Sequence, residues 1–238
     1  MKRLLATLTG LSCLAAAAIA GEATAISVAS HGGTAVANAT ATGNARSTAI
    51  AGATRGGVAL ANSTAQGWSY GFADSRSVAM ADRGLAISNS NADAYGRFGG
   101  SAVADSESIA ATMGGVAISN SDAQARGVFH GRAVSRSSSI ALSEYGLATS
   151  DSRAVSRGML GGRATSISDS YSDTYRGRSQ SKVLADSQAG YRAEAISDGR
   201  GISVSGRFRS SQAGVRAVSR SERFGHSQSR AAMIQVTP

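Results

Sequence analysis

The residues of this chain best suited to chemistry are its arginines. Residues 126 to 238 hold 16 Arg and 1 Lys against 8 acids, a net of +9, whereas residues 21 to 125 hold 5 Arg against 7 acids, a net of −2. A guanidinium presents a planar fork of donors that fits phosphate, sulfate or carboxylate bidentately. Arg132, Arg136, Arg153, Arg157, Arg163, Arg176 and Arg178 recur at regular places in a repeat and form the candidate polyanion-binding set. The ligand to expect is acidic polysaccharide or DNA. The competing reading is a solvated, charged edge that keeps strands from pairing with strangers. No recognised nucleic-acid module accompanies the arginines, and aromatics make up only 5% of the chain, thin for base stacking.

Other chemistry finds little support. His31, His130 and His226 each stand beside a glycine and far from one another, as turn residues do. With so many serines, a Ser-His-Asp set could be drawn anywhere and so carries no information. No G-x-S-x-G, Walker loop or H-E-x-x-H is present, and the Asp and Asn residues lack the G-G-x-G-x-D calcium pattern. The sequence therefore assigns no catalytic, cofactor or metal-binding residues and reads as a non-enzyme.

The elements that must position the arginines are short repeats. Units of 15 or 16 residues start at Gly84, Gly100, Gly115, Gly131, Gly146 and Gly162. In one unit Ala117, Ser119, Ser121, Ala123 and Ala125 occupy every second position, with Val116, Ile118, Asn120, Asp122 and Gln124 between them. Successive side chains of a strand point to opposite faces, so the small residues share one face. Helix is the poorer reading, because Ser, Asn, Asp and Gly disfavour helix interiors and no 3.6 period appears. A unit this short cannot bury a core alone, so copies must stack. The expected fold is all-β, a β-solenoid or β-roll of 14–16-residue units with Ala/Ser/Gly faces. Large residues before the glycines, Met113, Phe129, Tyr145, Leu160 and Tyr175 among them, should form a ladder along one edge.

Taken in order, Met1-Lys2-Arg3, the apolar run Leu4 to Ala17 and Ala18-Ile19-Ala20 read as a secretory signal peptide over residues 1–20, with Gly21 the new N-terminus. The run is too short for a membrane span, and no integral membrane segment is expected after cleavage. Cys13, the only cysteine, leaves with the leader, so the mature chain has no disulfide. Residues 21–56 are irregular Ala/Thr-rich first rungs, 57–189 a regular solenoid, and 190–238 looser Arg/Ser-rich repeats and a tail. The only proline is Pro238, which suits continuous ladders.

The stretch NARSTAIAGATRGGVALANSTAQG, residues 44 to 67, resembles the head repeats of trimeric autotransporter adhesins (YadA-like heads). Ser77-Val78-Ala79-Met80-Ala81, Ser108-Ile109-Ala110 and Ser139-Ile140-Ala141-Leu142-Ser143 repeat the likeness. It implies stacked short turns in a left-handed parallel β-roll that binds host or matrix surfaces. The family's heptad stalk and C-terminal membrane-anchor barrel have no counterpart here, so the likeness extends to a head-like module alone.

Beyond Ala20, Leu, Ile, Val and Phe together fall short of the level, about a fifth of a chain, at which disorder becomes a concern. Folding only on assembly is therefore the alternative to an ordered solenoid. The functional expectation is a secreted or cell-surface structural protein, adhesin-like or fibre-forming, self-associating through its solenoid ends. The alternatives are a soluble module holding acidic polysaccharide or extracellular DNA on its Arg-rich half and, behind it, an ice-binding solenoid.

Overall fold

A computed structural model gives the architecture. It describes residues 12–19, 21–68, 71–96, 101–128, 132–159, 163–189, 194–205, 210–221 and 226–236. These residues form thirteen strands: β1 (Ser12–Ile19), β2 (Glu22–Ala29), β3 (Thr34–Thr42), β4 (Ala45–Ala53), β5 (Val58–Gly67), β6 (Phe72–Ala81), β7 (Leu85–Gly96), β8 (Ser101–Gly127), β9 (Arg132–Gly158), β10 (Arg163–Ala189), β11 (Glu194–Ser205), β12 (Ser211–Ser221) and β13 (His226–Val236).

The strands pair in parallel, and the pairings sort the chain into two stacked faces. One runs β1, β3, β5, β7, then the second halves of β8, β9 and β10, then β12. The other runs β2, β4, β6, the first halves of β8, β9 and β10, then β11 and β13. The chain is thus a parallel β-solenoid, as the alternation predicts. Val116 pairs with Leu147, so one coil consumes two of the short sequence units, one per face.

The coil length also accounts for the irregular ends. Thr34 pairs with Val58 and Arg46 with Asp74, so the first coils are shorter than the later ones. These rungs are the same solenoid wound on shorter strands, turned through left-handed residues such as His31 (φ 59°) and Arg55 (φ 57°). In the tail Glu194 pairs with His226, so the full-length coil persists where the sequence period fades. Ser12–Ile19, inside the stretch read as a leader, pairs in register with β3; a cut after Ala20 would remove this rung and bare the edge of β3. The rest of that stretch, residues 1–11 and 20, lies outside the described residues.

Between the two faces lie mainly small side chains. Ala117, Ser119, Ser121, Ala123 and Ala125 all point inward and are buried, as the alternation requires. The serines form two hydrogen-bonded zippers that cross from face to face. In one, Ser90, Ser106, Ser121, Ser137 and Ser152 each donate to the carbonyl of the preceding member, starting from Ser75, at 2.6 to 2.9 Å. Its steps alternate between 15 and 16 along the chain. In the other, Ser88, Ser108, Ser119, Ser139, Ser150, Ser170 and Ser181 do the same from Ser77, at 2.6 to 2.9 Å, in steps of 11 and 20. A hydroxyl on one Cβ can reach the opposite backbone only if the faces sit closer than the ~10 Å of ordinary sheet packing. The zippers also satisfy hydroxyls that would otherwise be buried without partners.

One edge of the coil is a column of glycines. A Cβ on Gly115 would overlap the carbonyl of Gly84, and one on Gly146 that of Gly115; both glycines hold left-handed φ (139° and 148°). Part of the ladder of large residues expected along one edge is seen beside this glycine column. Met113, Tyr145 and Tyr175 stand exposed at the glycine edge, with Tyr145 and Tyr175 edge-to-face at 6.5 Å. Phe129 and Leu160 lie outside the described residues.

Candidate binding surface

With the interior filled by Ala and Ser, the bulky aliphatics are left outside. On the β2/β4 face, Ile26, Ile50, Val78, Ile109, Ile140, Tyr171, Ile202 and Ile234 stack in one column, register by register. On the β3/β5 face, Val36, Leu60, Ile87 and Ile118 stack beside Val58, Leu85, Val116 and Leu147. Neighbours about 4.8 Å apart shield one another in part, and most of these residues are half-exposed.

Next to the aliphatic columns run polar ones. Asn62 donates to Asn38, Asn89 to Asn62 and Asn120 to Asn89 through their side-chain amides, at 2.8 to 2.9 Å. This ladder edges an open groove of about 390 Å³ that also meets Asn91, Asp122 and Asp151. On the other face Asp74 is gripped by Arg46 (3.1 Å) and Arg76 (3.3 Å), and Arg76 also faces Glu107 at 3.8 Å.

The candidate arginines do not form one stripe. Arg136 stacks on Asp105 and Arg153 on Asp122, one pair on each face. Burial pushes both aspartate carboxyls above their usual range, and the facing guanidinium opposes the shift in each case. Burial likewise raises Asp169, opposed by Arg200. Arg178 stacks on Leu147 just past the glycine edge; Arg176 is in the strand beside it, and its side chain lies outside the described ones.

Arg132 and Arg163 do stack on one another, at the start of the strands that follow the opposite turns. Arg163 is held by Glu194 at 2.7 Å. Across the same turns, Arg157 stacks on Arg126, a residue outside the candidate set. Tyr95 precedes Arg126 in that column, and Trp68 lies against Tyr95 with ring centroids 6.3 Å apart. The column thus runs Trp68, Tyr95, Arg126, Arg157. The signal was present in the sequence: Tyr95, Arg126 and Arg157 each stand one full coil apart, a relation that a half-coil period hides.

Chemically, this surface offers forks, aromatic faces and aliphatic ridges. Among the described residues no group of three or more His, Cys, Asp or Glu converges as for a metal, and no helix is long and apolar enough to cross a membrane. Comparison with protein-family models, curated proteins and solved structures found no match to this chain.

Proposed function

We propose that this is an exported structural protein, fibre-forming or adhesin-like, that works by associating with copies of itself. The observation that carries this reading is the inverted distribution of side chains. Alanine and serine fill most of the interior, while isoleucine, valine and leucine line the outside, in a column broken only by Tyr171 along the β2/β4 face and in columns up to Ile118 and Leu147 on the other. Ridges of this kind gain from being covered by a like ridge.

The ends support the same reading. β12 and β13 pair on one side only among the described strands, as do β2 and, once β1 is cut away, β3. No proline or charge cluster blunts β13, whose Met233, Ile234 and Val236 are exposed. Open parallel edges of matching polarity invite head-to-tail stacking.

Electron microscopy and sedimentation velocity of the purified chain test the proposal. Concentration-dependent filaments or bundles are expected, weakened by the paired substitution Ile109→Lys and Ile140→Lys. A chain that stays monomeric at all accessible concentrations overturns it. N-terminal sequencing of exported material should read from Gly21.

A further inference from the structure

We propose that the edge carrying Trp68, Tyr95, Arg126 and Arg157, with Arg132 across the turn, is a binding site for an acidic polysaccharide lying along the solenoid axis. The inference does not rest on self-assembly. It begins from an exception in the charge pattern. Several outward arginines meet carboxylates: Arg46 and Arg76 share Asp74, Arg136 stacks on Asp105, Arg153 on Asp122, and Arg163 is paired to Glu194. Arg126 instead stacks on Arg157, and Arg132 on Arg163, one rung apart. Among the described residues no carboxylate is within ion-pair distance of Arg126, Arg132 or Arg157. Like charges about 4.8 Å apart repel, and an anion lying between them removes that cost.

The shape of the site selects the ligand. Four stacked positions span about 14 Å, so the site is linear and suits a polymer crossing the rungs. An extended pyranose chain advances by nearly one rung per sugar, so its carboxylates or sulfates can meet successive guanidinium forks. Two aromatics continue the same column beyond the arginines, and a pyranose ring presents an apolar face to such side chains. The two rings are tilted by 59° and form no parallel slot, which argues for sugar rings over bases. Trp68 is 59% exposed at the head of the column.

Trp68 is the only tryptophan in the chain, so its fluorescence reports directly on this edge. Titrating the full chain with a polyuronate oligosaccharide at low salt should shift that fluorescence saturably. With three charges neutralised, nucleic-acid coefficients give a loss of roughly twenty- to fortyfold in affinity for a fourfold rise in salt. The double variant Arg126→Gln, Arg157→Gln should lose at least tenfold, while Arg46→Gln with Arg76→Gln should bind as the parent does. Circular dichroism of both variants confirms that the strands persist. No fluorescence response at low salt, equal losses in the two variants, or tighter binding of an oligothymidylate of the same charge would each overturn the proposal. The Arg126/Arg157 variant should still form filaments, so failure of assembly and failure of this site are read separately.

Discussion

The rungs between Ser75 and Ser181 and those beyond them solve the same packing problem with partly different atoms: Ser203 still donates to the Ser179 carbonyl, but valine and glycine replace other serines. In the first region the two faces are joined by serine hydroxyls donating across the interior. Ser168, which donates to the Ser152 hydroxyl, ends the first zipper, and the next positions hold not serines but Val183 and Gly199, with Val215 stacked on Val183. Val183 is buried, and a Cβ on Gly199 would lie 3.2 Å from its Cγ1 and 3.1 Å from that of Val215. Gly201, where the other zipper would continue, leaves room for Val215 in the same way, with 2.7 Å to its Cγ2. A valine opposite a glycine fills about the volume of two facing serines. The constraint on the interior is therefore a fixed volume per rung, and hydrogen bonding is one of two ways to meet it.

The largest expected effect breaks that volume rule. Ser119→Leu should overpack the zippered region and cost about 3 kcal/mol or more. Asn120→Leu, one residue on, should cost about 1 kcal/mol for the lost bond to Asn89. Equal costs in thermal melting would refute the inward and outward assignment.

A cycle across the boundary comes next. Val183→Ser leaves a gap and Gly199→Ser crowds its valines, each costing about 1–3 kcal/mol. Together they extend the serine zipper, and the double variant should be clearly more stable than the sum of the two losses. Strict additivity in denaturant melts would show that the two regions are not interchangeable.

Within the zippered region, Ser152→Ala should cost about 1 kcal/mol, since its hydroxyl donates to Ser137. Ser156, equally buried, has no described partner for its hydroxyl, and Ser156→Ala should be neutral or stabilising. If the two alanines behave alike, the zippers add nothing beyond their volume.

The smallest effect concerns pH. Burial raises the Asp122 carboxyl, so the folded chain holds its proton to higher pH than the unfolded one. That contribution is fully present below the unfolded value of 3.8 and is lost as pH rises through the raised folded value. Asp122→Asn should therefore raise the melting temperature slightly at pH 7 and leave it unchanged near pH 3. A lowered melting temperature at pH 7 would mean that attraction to Arg153 outweighs burial.

Much of this was legible from residues in a row. Alternation in Val116 to Ala125 fixes which side chains face inward, because a strand has only two sides. The coil length was not legible, because the two halves of a coil obey one residue rule: small in, large out. Nothing local tells a unit on one face from a unit on the other. That ambiguity grouped arginines that the fold holds apart, such as Arg132 and Arg178, and concealed Arg126. It also hid the boundary at Val183, which reads as an ordinary strand residue until the facing glycines are seen.

The pitch of the coil makes the length of this protein a quantised property. Removing the segment from Val116 to Gly146 would join Gly115 to Leu147, the residue that already stacks on Val116, and every neighbour would keep its kind. Removing half as much would carry each later strand to the opposite face and interrupt both the asparagine and the isoleucine columns. Inheritance could thus lengthen or shorten this chain cheaply by whole coils and hardly at all by fractions of one. Alleles differing by one whole coil would be the same molecule built to another length.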